Sequence, residues 1–173
     1  MENLKRLKNR LIARFTTGHP SLTRYMLRDV KPPELSEPIP FSLPSKGLSR
    51  AKIALVTTAG VHTKEEPPFD MENPDGDATF REIPSSAKPH SLIITHDYYD
   101  HRDADRDINL VFPLERLKEL KEEGIVGEVA PRHYSLMGHI RGGLVETLYN
   151  ETSVEIARRL SSDGVDGVVL TPG

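Results

Sequence analysis

Histidine and aspartate are concentrated in one short polar segment, His96-Asp97-Tyr98-Tyr99-Asp100-His101, which comes directly after an apolar run. Imidazole nitrogens and carboxylate oxygens bind zinc, and a catalytic zinc ion usually has three protein ligands. His96, Asp100 and His101 could supply three, so one hypothesis is a metal-dependent hydrolase. A polar loop at the carboxyl end of a parallel strand, where α/β proteins keep their sites, explains the segment without a metal ion, and we favour it.

A second segment rich in hydrogen-bond donors runs from Ala130 to His139 and contains Arg132 and His133. An arginine can bind a carboxylate group of a ligand through two parallel hydrogen bonds. The same side chains could equally hold a loop together, and the sequence leaves both interpretations open.

Apolar periodicity predicts the elements that position these residues. Short apolar runs indicate buried strands, and apolar residues three or four apart indicate helices. The capping-box pattern Thr152-Ser153-Val154-Glu155 predicts a helix start. The predicted strands are 51–58, 91–95, 125–130 and 165–171, and the predicted helices are 1–15, 113–124 and 152–164.

Strands that alternate with helices predict an α/β fold with a mostly parallel sheet, flanking helices and Rossmann- or flavodoxin-like layers. The first and last predicted strands should then be neighbours. Ten of the 14 prolines lie between Pro32 and Pro89. Because proline interrupts helices, we predict an extended arm at 31–46 and a long structured loop at 63–89. The predicted domains are an N-terminal helix with the proline-rich arm (1–50) and an α/β domain (51–173).

The predicted site lies where loops leave the ends of these strands. We expect seven side chains to gather at the carboxyl end of the sheet, close to Gly173. They are His62, His96, Asp97, Asp100, His101, Arg132 and His133.

Composition excludes several classes of function. The net charge of −3 argues against a general nucleic-acid binder. No apolar run approaches the roughly 18 residues of a membrane helix, so we expect a cytoplasmic protein without a membrane partner. The absence of cysteine excludes disulfides and thiolate zinc sites within these residues. The basic N-terminal helix is interpreted as a solvated surface helix, with docking to a partner as the alternative.

Four segments in order resemble the selenoprotein B family of glycine, sarcosine, betaine and D-proline reductases, so the chain is identified as similar to a short member of that family. The resemblance covers the chain from about Ala51 to its end. The four segments are 53–61, 95–100, 111–124 and 164–171.

The resemblance implies a subunit that reductively cleaves a carbon–nitrogen bond of a small amine or amino acid. In the family a selenocysteine, or in some members a cysteine, comes shortly after the segment that matches 165–171. A partner subunit can carry a pyruvoyl group, and this chain itself is expected to bind no cofactor. Partner reductase subunits and a homo-oligomer are expected. A non-catalytic assembly module is the third hypothesis.

The family's selenocysteine also gives an expectation for the gene beyond the Gly173 codon. A selenocysteine codon is a UGA codon, so we expect the chain to be truncated at Gly173, with the reading frame continuing through UGA. On that expectation the 173-residue chain alone is inactive as a reductase.

Overall fold

The computed structural model describes residues 4–26, 28 and 42–173. The chain divides into two compact units. The first contains the described residues up to Ser45 together with Asp97–Asp100, and the second contains Lys46–His96 and His101–Gly173. Residues 31–41 of the predicted proline-rich arm lie outside the described residues.

The first unit contains two helices, α1 (Leu4–Gly18) and α2 (Pro20–Met26). Helix α1 confirms the helix predicted at the N-terminus and extends a few residues further along the chain. No helix of the described residues has the length and apolar character needed to cross a membrane.

The second unit contains the sheets and the remaining helices. Its strands are β1 (Lys52–Thr57), β2 (Val61–Thr63), β3 (Arg81–Pro84), β4 (Leu92–Ile94), β5 (Glu128–Val129), β6 (Arg132–Ser135) and β7 (Gly167–Thr171). Its helices are α3 (Leu114–Glu122), α4 (Leu144–Thr147) and α5 (Ser153–Ser162), and a π-helical turn, Leu148–Thr152, joins α4 to α5.

Strand β1 is the central strand of the main sheet, because other strands pair with it on both sides. Its residues after Lys52 are buried. On one side β7 pairs with it in parallel, from Ile53 opposite Gly167 to Thr57 opposite Thr171. On the other side β5 and β6 pair with it in parallel, one after the other. The prediction that the first and last strands are neighbours in one parallel sheet is therefore confirmed.

The Rossmann- or flavodoxin-like layering is not confirmed. Strand β4 does not join the main sheet but pairs antiparallel with β2 in a separate two-stranded sheet. The predicted long loop at 63–89 contains β3, which pairs antiparallel with β6. The architecture is thus a mostly parallel α/β sheet with an antiparallel edge strand and a small second sheet.

Helix α5 covers one face of the main sheet. Ile156 and Leu160 pack on Ala54, Val56 and Tyr134. The predicted capping box is wrong, because the helix already runs through Thr152, whose φ and ψ are −64° and −49°. The Thr152 hydroxyl instead donates to the Ala78 carbonyl oxygen at 2.7 Å, so it ties the helix to the loop before β3.

Candidate functional site at the carboxyl edge of the sheet

Three hydroxyl side chains form a row across the last residues of the parallel strands. Thr57 of β1 lies in register with Ser135 of β6 and with Thr171 of β7. The Thr57 and Thr171 hydroxyls both donate to the Val111 carbonyl oxygen, at 2.9 and 2.7 Å. The Ser135 hydroxyl is buried and has no hydrogen-bond partner among the described residues. The Thr57 and Thr171 hydroxyls thus hold the loop before α3 against the carboxyl edge of the sheet.

The turn after β1 brings a histidine to this edge. Gly60 has a φ of +71°, and a β-carbon built on it would lie 2.5 Å from the Thr95 carbonyl oxygen and 3.2 Å from His96 Cβ. The Thr95 amide donates to the Gly60 carbonyl oxygen at 2.9 Å. Glycine is needed here both for the left-handed backbone and for this close approach, which holds His96 against the end of β1.

Two further glycines complete the edge. A β-carbon on Gly138 would lie 3.0 Å from the Thr58 carbonyl oxygen and 3.4 Å from His96 Nε2. A β-carbon on Gly173 would lie 2.5 Å from Ala59 Cα. His96, which is 5% exposed, and the chain after β7 therefore both lie against the Thr58–Gly60 turn. Of the predicted site residues, His96 is the one that this geometry places at the carboxyl edge beside Gly173.

His62 lies close behind this edge on β2. Its Nε2 is 2.8 Å from the Thr95 hydroxyl and its Nδ1 is 2.7 Å from the Thr63 carbonyl oxygen. A carbonyl oxygen only accepts, so Nδ1 donates to Thr63. His62 is thus bonded to the hydroxyl of the residue that directly precedes His96.

His133 lies within the sheet and not at its edge. Its Nδ1 accepts a hydrogen bond from the Leu55 amide at 2.9 Å, and its ring meets Phe112 edge to face. Burial, with a smaller effect of Lys118, lowers the pKa of the imidazole to about 4. His133 therefore lies two residues before the end of β6, and its ring is part of the core.

Arg132 lies at the opposite end of β6 from Ser135. Its guanidinium donates two hydrogen bonds to Asp163, at 2.8 and 2.6 Å. These bonds hold the pKa of the Asp163 carboxyl below its usual value. Of the two interpretations that the sequence left open, the bonds to Asp163 favour the structural one, because the carboxylate that Arg132 binds belongs to the chain itself.

Asp97 and Asp100 belong to the first unit. Arg6 Nε donates to Asp97 at 2.6 Å, and Arg10 Nε donates at 3.2 Å. Burial alone would raise the pKa of the Asp97 carboxyl, but the hydrogen bonds from the two arginines outweigh burial and lower it. The Asp97 carboxylate is thus held by α1.

The metal-binding alternative finds no support in the geometry. His101 Nδ1 lies 2.9 Å from both carboxylate oxygens of Asp105, within one polar turn. In the part of the chain that the structure describes, no three His, Asp or Glu side chains converge as metal ligands. The set His96, Asp100 and His101 is therefore not assembled as a metal site.

Comparison with known proteins shows the family of this chain. The profile of the glycine/sarcosine/betaine reductase selenoprotein B family matches residues 5–173. The chain belongs to this family. No solved structure matches the chain.

Several curated relatives of this family member are subunits of reductases. It is 38% identical over 144 residues to the D-proline reductase subunit gamma of Acetoanaerobium sticklandii, a match that covers 83% of this chain and 55% of that protein. It is 30% identical over 148 residues to the betaine reductase complex component B subunit beta of Peptoclostridium acidaminophilum (79% of this chain and 31% of that protein). It is also 30% identical over 138 residues to the glycine reductase complex component B subunit gamma of the same organism (73% and 28%). The chain thus spans about half, or less, of the length of these relatives.

Sequence reasoning missed three uncharged residues at the carboxyl edge of the main sheet. Thr57, Ser135 and Gly138 were not among the predicted site residues. A signal was present for Thr57, because a hydroxyl residue directly ends the apolar run of β1. Ser135 and Gly138 had none, because β6 consists of Arg132, His133, Tyr134 and Ser135 and does not have the apolar pattern of a strand.

Proposed function

We propose that this chain is part of a reductase subunit that cleaves a carbon–nitrogen bond of a small amine or amino acid. Family membership supports the class of reaction. The position of Gly173 against Ala59 supports the location of the site. In the resemblance that identified the family, the selenocysteine or cysteine comes after the segment that matches β7. A residue in that position would leave the sheet beside Ala59 and near His96.

This geometry suits a nucleophile. Strand ends of parallel sheets direct side chains into the crevice where α/β proteins bind ligands. A selenol or thiol reacts as its anion, and covalent catalysis by such a nucleophile divides one difficult step into two. Under this proposal the nucleophile forms a bond to the substrate α-carbon while the carbon–nitrogen bond breaks. A dithiol reductant supplied with the enzyme then gives the two electrons that release the reduced product and restore the nucleophile. His96 would donate a proton to the leaving nitrogen, since it is the histidine beside Gly138 and Gly60 at this edge.

The remaining components belong to other polypeptides. A pyruvoyl group, where the substrate requires one, would be carried by a partner subunit, and other reductase subunits would be partners of this chain. The 38% identity to a D-proline reductase subunit makes D-proline the first substrate to test, before glycine, sarcosine and betaine.

The experiment uses the gene with the codons downstream of Gly173, expressed with selenocysteine or cysteine and assembled with its partner subunits. We expect cleavage of the carbon–nitrogen bond of one of the four substrates, measured by product chromatography. His96→Asn should slow this reaction about 100-fold or more, as expected for loss of a general acid. His90→Asn, which changes a histidine on the exposed surface, is the matched control and should keep the rate.

Separate outcomes would contradict separate parts of this proposal. A UAA or UAG codon after the Gly173 codon would contradict the proposed selenocysteine codon at that position. An assembled complex that cleaves none of the four substrates would contradict the reaction. A His96→Asn complex with the unchanged rate would remove His96 from the chemistry while leaving the reaction class intact.

A further inference from the structure

His62 has both of its ring nitrogens bonded inside the chain. Nδ1 donates to the Thr63 carbonyl oxygen at 2.7 Å, and Nε2 lies 2.8 Å from the Thr95 hydroxyl. The residue is 1% exposed. A general acid or base must come within hydrogen-bond reach of the substrate. The His62 ring is buried and already bonded on both sides, so its place in the fold favours an indirect role in the chemistry.

The long loop that precedes β3 holds the His62 ring in one orientation. Phe69 of this loop is buried and meets the imidazole edge to face, with the ring centroids 6.2 Å apart. The Arg81 guanidinium lies over the Phe69 ring, 4.2 Å from its centroid. The same guanidinium donates to the carbonyl oxygens of Pro67 and Pro68, at 2.8 and 3.0 Å. Arg81 thus fixes Phe69, and Phe69 supports the His62 ring.

Thr95 connects the His62 ring to the carboxyl edge. Its amide donates to the Gly60 carbonyl oxygen at 2.9 Å, and its hydroxyl is bonded to His62. The next residue is His96. A β-carbon built on Gly60 would lie 3.2 Å from His96 Cβ, and one built on Gly138 would lie 3.4 Å from His96 Nε2. Because the imidazole of His96 is this closely surrounded, a small shift of Thr95 would change its position at the edge.

We propose that His62 is a positioning residue that orients His96 through the Thr95 hydroxyl. This inference rests on the proposed function, in which His96 donates a proton to the leaving nitrogen. A proton donor acts within about 3 Å of the atom that it protonates, and a misplacement of about 1 Å can lower a rate about 100-fold. The bond between the Thr95 amide and Gly60 remains when His62 is replaced, so the expected effect is smaller. We expect kcat to fall about tenfold. KM should stay unchanged, because His62 does not contact the substrate.

Two substitutions break the contact from its two ends. His62→Leu removes the ring nitrogens, and Thr95→Val removes the hydroxyl while it keeps the branched shape of the side chain. In the assembled reductase each change should lower kcat about tenfold. The double variant should be no slower than either single variant, because both changes break the same bond. Thr95→Ser keeps the hydroxyl and should restore kcat to within about twofold of the unchanged enzyme. A double variant that loses the product of the two single effects would overturn the inference.

The His96→Asn variant separates this inference from the proposed function. If His62 acts through His96, adding His62→Leu to His96→Asn should not lower kcat further. A further tenfold loss in that double variant would show that His62 acts by another route, and it would overturn the inference while leaving the reaction class intact.

Crystal structures of the variants give a measurement that does not need activity. In the 173-residue chain, His62→Leu and Thr95→Val should each displace the His96 imidazole by about 0.5–1 Å, a shift large enough to affect proton transfer. Thr95→Ser should keep the imidazole in place. An imidazole that stays in place in both His62→Leu and Thr95→Val would overturn the inference, whether or not the assembled complex cleaves any substrate.

Thr152→Val is the matched control for the loss of a threonine hydroxyl. It removes a buried hydrogen bond of 2.7 Å to the Ala78 carbonyl oxygen, which ties α5 to the loop before β3. This variant should lower Tm as Thr95→Val does, but it should keep kcat and the position of His96. An equal loss of kcat in Thr152→Val would show that general destabilisation, and not the contact with His62, accounts for the effect.

Discussion

The Leu55 amide of β1 donates its hydrogen bond to the imidazole Nδ1 of His133, at 2.9 Å, and not to a backbone carbonyl of β6. Pro131 and the short gap between β5 and β6 leave this amide without a regular strand partner, and the side chain takes the place of one. The other ring nitrogen, Nε2, has no hydrogen-bond partner among the described residues. His133 therefore holds two strands together only while its Nδ1 is unprotonated.

This contact predicts a loss of stability in mild acid. The folded pKa of His133 is about 4, below the usual 6.5, because burial disfavours the charged ring. The unfolded chain binds this proton first, so the stability is fully present above pH 6.5 and is lost as the pH falls from 6.5 to 4. The expected loss is about 3 kcal/mol of unfolding free energy.

Urea unfolding at pH 7 and pH 4.5 measures this loss. His133→Gln can accept the Leu55 hydrogen bond without titrating, so the difference between the two pH values should shrink. His90→Gln, which changes an exposed histidine, is the control and should keep the pH dependence of the unchanged chain. An equal pH dependence in His133→Gln would show that His133 is not the responsible group.

Two glycines with similar backbone conformations allow two costs of substitution to be measured separately. One is the cost of a left-handed backbone, and the other is the cost of a steric clash. Gly60 has a φ of +71° and Gly124 a φ of +75°, but only at Gly60 would a β-carbon meet a neighbouring atom, 2.5 Å away. Gly124→Ala should cost about 1 kcal/mol for the left-handed backbone alone. Gly60→Ala should cost at least about 1–3 kcal/mol more, as overpacking does. Equal costs in urea unfolding would show that the turn adjusts away from Thr95.

The shared carbonyl of Val111 predicts a non-additive pair of substitutions. Thr57→Val removes one of its two hydroxyl donors and also the acceptor of the Ala59 amide, at 3.2 Å. Thr171→Val removes only the other donor. Thr57→Val should therefore cost about 1–3 kcal/mol, and Thr171→Val about 0.5–1.5 kcal/mol.

The double variant leaves the Val111 carbonyl oxygen without either hydroxyl donor. Its cost should exceed the sum of the single costs by about 0.5 kcal/mol or more in a double-mutant cycle. A strictly additive cycle would show that the two hydrogen bonds act independently.

The carboxylate of Asp97 predicts how α1 is held. Asp97→Asn removes the charge that binds Arg6 and Arg10, so the amides of α1 should exchange hydrogen faster. Because the pKa of Asp97 is lowered in the folded unit, this support is present above the usual carboxyl pKa and is lost as the pH falls through the lowered value. Mass spectrometry of exchanged peptides covering α1 measures the effect. Asp103→Asn, whose ion pair with Arg106 is exposed, is the control, and equal exchange in both variants would contradict the role of Asp97.

The sequence by itself determined the elements that have an apolar pattern, together with the family. Strand β1 was predicted because burial on both faces of a parallel strand requires a run of apolar residues. The last strand was predicted from the same pattern, although Val168, Val169 and Leu170 are exposed. Helix α3 was predicted from its leucine spacing, and its end from Gly124, which has a φ of +75°. Three of the four segments that carried the family resemblance cover these same regions, and the fourth, 95–100, follows β4.

Only the tertiary structure decided which polar residues lie at the carboxyl edge. Arg132 and His133 look like ligand-binding residues in the sequence, but one binds Asp163 and the other replaces a backbone acceptor for Leu55. Conversely, nothing in the sequence indicates that Ser135 and Gly138 belong to a functional site. The register of β6 with β1 nevertheless places them beside Thr57 and His96. The reason is physical: a polar side chain satisfies its hydrogen bonds with whatever partner the fold brings within about 3 Å, and local sequence does not determine that partner.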